Sequence, residues 1–196
     1  MRRLAFVVVA VMLVLVGCGV GPEVEPRALP SEAAAAVDVP AVVPSGAAGR
    51  LLELWFVKDS RLVPVSRKTS AAVITAEDKI QGLEAGPTVT ELAEGLRTAV
   101  TAVVPDVPLV ATAESSGVPV ELAADQVAVV LSDEFPSLPS QEQILILGQV
   151  VLTLTTKPGT SVLFVNDNGI PVGVPLPSGR LSSGAVTSND YQQLAS

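Results

Sequence analysis

Ser140–Gly159, SQEQILILGQVVLTLTTKPG, is the stretch on which the fold turns. Ser140 and Gln143 have capping-box spacing, in which the hydroxyl and the amide each satisfy an unpaired backbone N–H. Pro158 cannot continue a helix and Gly159 suits the turn beyond it, so the helix is expected to end near Lys157, whose charge suits a C-terminus. Ile144, Leu147, Val151 and Leu154 recur at spacings of three and four, giving an apolar face widened by Leu145, Gly148 and Thr155. The β-branched run Val150–Thr156 also reads as a strand, because short apolar runs are ambiguous by period. Start signal and length decide for the helix. A helix this apolar is expected to be core, lying on a sheet.

Composition removes more functions than any motif adds. The 196 residues are 48% hydrophobic but only 3% aromatic, so the core has to come from Val, Leu, Ile and Ala. No histidine is present, which leaves no Ser–His or Cys–His pair and no imidazole metal ligand. One cysteine, Cys18, allows no internal disulfide, zinc knuckle or dithiol motif. The formal charge of −8 argues against nucleic acid, which needs a basic stripe, and against broad attachment to anionic lipid.

The N-terminus reads as an export signal over residues 1–17. Arg2 and Arg3 precede thirteen uninterrupted apolar residues, Leu4–Val16, too short for a comfortable span of about 20 residues. Leu15-Val16-Gly17-Cys18 resembles the bacterial lipobox, which implies cleavage before Cys18 and a thioether-linked diacylglycerol on it. Two acyl chains at ~0.8 kcal/mol per buried CH₂ hold stably where one binds reversibly. An uncleaved short anchor is the alternative. Residues 18–49, with Pro22, Pro26, Pro30, Pro40 and Pro44, read as an extended spacer.

The folded domain is expected over residues 50–175. LLELWFVK (Leu51–Lys58) alternates, with Leu52, Leu54 and Phe56 on one face, and Leu62–Val65 forms its hairpin partner across Asp59-Ser60. Pro64 marks that partner as an edge. Trp55 is a candidate interface residue, since Trp is enriched in binding hot spots. Thr75 starts one helix, stopped by Gly86-Pro87, and Thr88 with Glu91 starts a short second one through Leu96. Val107–Ala113, Val118–Leu122 and Val127–Leu131 are strand candidates, and Ser161–Val165 and Ile170–Val174 flank an Asn166–Gly169 turn. Residues 176–196 read as a Gly/Ser/Pro-rich tail. The element order predicts an α+β domain, a small mixed or antiparallel sheet with two main helices packed on one face.

Several of these segments, in this order, resemble the GerMN domain, named from sporulation and spore-germination proteins. Leu83–Pro87 (LEAGP) is similar to its "LLAGP" turn, Gly95–Ala99 (GLRTA) to its "GLRTAIP" segment, and Val151–Thr155 (VLTLT) to its "VYTLT". The chain departs from the family pattern between Ala99 and Val127 and carries one copy rather than two in tandem. The resemblance implies an extracytoplasmic module of an envelope lipoprotein of actinobacterial type, similar in fold to ring-building domains, with no catalytic residues to carry over.

The remaining chemistry is sparse. Asp133-Glu134 reads as a solvated edge rather than an acid–base pair, and Asn166–Gly169 fails the calcium-loop template, whose first and twelfth positions would be Phe164 and Pro175. No cofactor or metal site is expected. The leading expectation is a non-catalytic module, anchored through Cys18 on the outer face of the cytoplasmic membrane, that binds an envelope protein or itself. A lipoprotein binding a small ligand (a cell-wall fragment or solute) is the alternative, and a carboxylate-only enzyme ranks behind both.

Overall fold

The structure is a computed structural model and describes residues 49–100 and 108–196. Cys18, the signal-like segment and the spacer to residue 48 lie outside the described residues, as do residues 101–107.

Alternation builds the first hairpin. β1 (Arg50–Lys58) and β2 (Arg61–Thr69) pair antiparallel across Asp59-Ser60, both at positive φ as a two-residue turn of this hand requires. Leu54 and Phe56 are fully buried on one face. Pro64 stands opposite Trp55, whose own N–H points away from β2 to Thr153 Oγ1, so the pair is a non-hydrogen-bonded one. The missing proline N–H therefore costs the ladder nothing.

Both threonine caps form as expected. Thr75 opens α1 (Ala76–Glu84) with Asp78 completing its capping box, and Thr88 opens α2 (Val89–Ala93) with Glu91. The second helix stops at Ala93 rather than Leu96, because Gly95 turns into the left-handed region.

The second sheet is mixed, in the order β3–β4–β5. β3 (Val110–Thr112) runs antiparallel to β4 (Gln126–Leu131), which runs parallel to β5 (Ser161–Val165). α3 (Ser140–Leu154) supplies the crossover between β4 and β5. Thr112, Val129, Val162 and Phe164 share the sheet face that meets the helices: Thr112 bonds to Glu77 of α1, and the others belong to one core with Ile146, Val150 and Val151 of α3. Two main helices on one face of a small mixed sheet is thus the arrangement found. Ala128, Val130 and Val165 on the opposite face pack with Val118 and Val120. Val118–Leu122 is therefore no strand; it crosses the sheet face without joining the ladder.

Three further details differ from the sequence reading. Ser140 is the first residue of α3 and makes no cap; Pro139 holds the cap position, and Gln143 Nε2 donates to Leu138 O at 2.8 Å and Pro136 O at 3.3 Å. The helix ends at Leu154, so Lys157 is not its cap, and every residue from Leu145 to Leu154 is buried, beyond a single stripe. Past the Asn166–Gly169 turn the chain makes a single bridge, Val165 to Pro171, and the following β6 (Val174–Pro175) pairs with β7 (Leu181–Ser182).

The segment read as a tail closes the core. Val186 bridges to Val162, and α4 (Ser188–Tyr191) buries Tyr191 completely, its hydroxyl donating to Pro175 O at 2.9 Å. Ala195 and Ser196 then return to Leu62 on β2. Gly148 makes room for this return: a Cβ there would stand 2.6 Å from Leu194 Cδ1 and 3.0 Å from Leu62 Cδ1.

Candidate functional site

The C-terminal end of α3 opens into a cleft of about 480 Å³ between the first half of β1, the start of α1 and the first residues of β4. Its charged lining is Arg50, Glu53, Lys79, Asp125 and Lys157. That volume lies in the range of ligand-binding clefts.

Lys79 is the organising side chain. It sits one turn into α1, and its ammonium donates to Thr153 O at 2.8 Å and Thr156 Oγ1 at 2.7 Å. Thr153 O lies in the last turn of α3, where the helix's own geometry leaves carbonyls without donors, and Thr156 lies two residues beyond its end. Burial lowers the Lys79 pKa; Glu53 opposes that shift and Lys157 adds to it. The wall beside it is β1, whose Trp55 N–H is held by Thr153 Oγ1 at 3.0 Å. One helix end thus ties together β1, α1 and the cleft floor.

Trp55, the candidate interface residue, is half-buried. Its indole Nε1 is buried without a hydrogen-bond partner among the described residues. Cys18 lies outside the described residues. Asp133 and Glu134 are not a catalytic pair in geometry: Glu134 holds the cap position of a 3₁₀ turn, Phe135–Ser137, and its backbone carbonyl accepts from Ser137 Oγ. At Asn166 the side-chain oxygen accepts from the N–H groups of Asn168 and Ile170, so that loop is a self-bonded turn. Among the described residues no group of three potential metal-binding side chains converges.

Sequence reasoning missed Lys79, Thr153 and Gln149. Gln149 is fully buried, with Oε1 accepting the Ala99 N–H at 2.7 Å and Nε2 donating to Thr98 Oγ1 at 3.3 Å. Thr98 Oγ1 in turn donates to Leu83 O at 3.0 Å, so one amide fixes the 98–100 segment against α1 and α3. The one amide within the apolar run Ile144–Leu154 was the available signal. A second anchor, the Arg67–Glu91 ion pair, joins β2 to α2, with the Arg67 guanidinium 4.9 Å above the Phe56 ring. It is structural in position.

No family model matches the chain, and no curated protein matches it. Solved structures do. The chain is similar to the tandem GerMN domains of the sporulation protein GerM from Bacillus subtilis, with 19% identity and a TM-score of 0.51 over 72% of this chain and 47% of that one. The chain therefore spans about half the length of the tandem structure. It is similar also to the first GerMN domain of that protein, with 18% identity and a TM-score of 0.51, over 71% of this chain and 98% of that one. At this identity the likeness establishes the fold, a GerMN-like α+β domain.

Proposed function

We propose that the chain is a non-catalytic module, lipid-anchored through Cys18 on the outer face of the cytoplasmic membrane, which acts by binding an envelope protein or a further copy of itself. The observation that carries this reading is the GerMN-like fold, shared with domains of a sporulation protein over most of the chain. A role in sporulation or germination enters with that likeness. The lipobox-like Leu15–Cys18 and the proline-rich residues that follow favour anchoring with the domain held off the membrane surface. The charge of −8 favours a protein partner over nucleic acid.

Two measurements test the reading. Metabolic labelling with a palmitate analogue is expected to mark the wild-type chain and not Cys18→Ser; equal labelling would remove the anchor. Crosslinking of the lipidated protein in its own cells, followed by mass spectrometry, is expected to return a specific protein or the chain itself. A pattern of adducts matching that of an unrelated lipoprotein of equal abundance would remove the interaction role.

A further inference from the structure

The cleft at the end of α3 has an open strand edge along one wall. In β1 the odd-numbered residues turn their N–H and C=O groups away from β2, because Trp55 N–H goes to Thr153 Oγ1 and Val57 exchanges both its backbone bonds with Arg97. Leu51 and Glu53 have the same orientation, and among the described residues neither backbone amide has a hydrogen-bond partner on that side. Both residues line the cleft. The other long edge, that of β2, is blunted: Leu62 O accepts from Ser196, Pro64 has no N–H, and Lys68 puts a charge there. The domain therefore leaves open the piece of β1 edge that faces a cleft.

The lining selects the occupant. Leu51 and Val73, both in the cleft lining, are 61% and 66% exposed, two of the seven large apolar side chains exposed among the described residues. Arg50, Lys79 and Lys157 put three of the nine basic side chains of the described residues into this lining, against two of the fifteen acidic ones, Glu53 and Asp125. The described residues as a whole are acidic, nine basic side chains against fifteen acidic, whereas this lining carries one more positive charge than negative. We propose that the cleft receives an extended, acidic segment of a partner protein, which adds a short strand to β1 at Leu51 and Glu53 and sets apolar side chains against Leu51 and Val73. Main-chain pairing supplies affinity in such strand addition, and alternate side chains supply selectivity. This proposal gives the interaction-module reading a surface and rests on it.

The test uses the full chain in detergent micelles and a defined probe, the fluorescein-labelled peptide acetyl-Val-Glu-Val-Glu-Val-amide. Titration up to about 1 mM is followed by anisotropy, and amide hydrogen exchange is read with residue-resolving fragmentation. Saturable binding is expected, with exchange at Leu51 and Glu53 slowed roughly tenfold or more while Leu52 and Leu54 stay protected throughout. The Arg50→Ala, Lys157→Ala double variant is expected to bind roughly three- to tenfold more weakly, since rim charges contribute modestly. A Val-Lys-Val-Lys-Val peptide and a backbone N-methylated Val-Glu-Val-Glu-Val peptide are expected to fail. Equal binding by either would overturn the proposal, the first removing the charge selection and the second the strand pairing. Absence of binding would overturn it too. Leu51 and Glu53 amides already protected without peptide would show the edge filled by the chain itself or by a second copy, and would sink it equally. Crosslinking in cells reads the interaction role without reference to this cleft, so either result stands apart from the other.

Discussion

Lys79 of α1 donates to the Thr153 carbonyl of α3 at 2.8 Å, so the cap of the central helix comes from a side chain 74 residues earlier in sequence. Charge-assisted hydrogen bonds of this kind contribute roughly 1.5–3 kcal/mol, discounted here because the group is partly solvated. Lys79→Met keeps the stem and removes the cap. It is expected to lower unfolding free energy by about 1 kcal/mol in urea titration, with Lys79→Arg losing less. An unchanged midpoint would mean that water caps α3 as well as the lysine does.

The buried amide of Gln149 gives a second expectation. Gln149→Leu preserves volume and leaves the Ala99 N–H without its acceptor, at a cost of about 1–3 kcal/mol. Gln149→Glu retains an acceptor but buries a carboxyl, which is expected to take up a proton rather than remain charged. Its stability should therefore fall steeply as pH rises above the ordinary carboxylate range, whereas the leucine variant shows no such slope. Matching pH profiles for the two variants would refute this.

What was legible in the sequence was local. Thr75 with Asp78 and Thr88 with Glu91 cap their helices because cap and partner lie three residues apart, inside one turn. The same pattern failed at Ser140 because Pro139, already at φ −57°, holds the cap position, leaving Gln143 to reach back to carbonyls at 136 and 138. Helix α3 was readable from its length and apolarity, but its burial on all sides depends on β1, α1 and a C-terminal segment no local window contains. That segment, rich in Gly, Pro and Ser, shows no period, and Tyr191 and Val186 reach the core one at a time. The roles of Lys79 and Gln149 were illegible for the same reason: their partners are fixed by tertiary contact.

At Trp55 two effects oppose each other. The ring buries apolar area, yet its Nε1 donor is buried without a partner among the described residues, a penalty of about 1–3 kcal/mol. Trp55→Phe removes the orphan donor along with part of the area, so its melting temperature is expected to stay near wild type. Trp55→Ala loses the packing as well and is expected to cost about 3 kcal/mol or more. A large loss on going to Phe would show that the indole N–H has a partner in solution.

Acid should loosen α1 and α2 first. Arg67 lowers the Glu91 pKa, and Thr112 does the same for Glu77, each against a smaller opposing effect of burial. Both folded values lie below the unfolded value of 4.5, so the unfolded chain takes up protons first. The stability they contribute is complete above pH 4.5 and is lost as pH falls below it through the folded values. Glu84 runs the other way: burial raises its pKa, so its ionisation costs stability as pH rises. Glu91→Gln is expected to flatten the acid limb of stability against pH; an unaltered limb would mean that the Arg67 pair is too well solvated to matter.

The C-terminal return makes the sharpest demand on the fold. Tyr191 is fully buried, and its hydroxyl donates to Pro175 O. Tyr191→Phe removes that bond alone and is expected to cost about 0.5–1.5 kcal/mol, whereas Tyr191→Ala opens a cavity and is expected to cost about 3–5 kcal/mol. Gly148→Ala attacks the same contact from the helix side: the new methyl meets Leu194 Cδ1, the mobile end of a side chain, before it meets Leu62. Leu194 can swing away, so the cost is expected to be about 1 kcal/mol, at the low end of overpacking penalties. Combining Gly148→Ala with Leu194→Ala should recover part of it, because the clash partner is gone. Additive losses in that double variant, read from urea midpoints, would show that the obstacle is the Leu62 or Tyr191 side chain rather than Leu194.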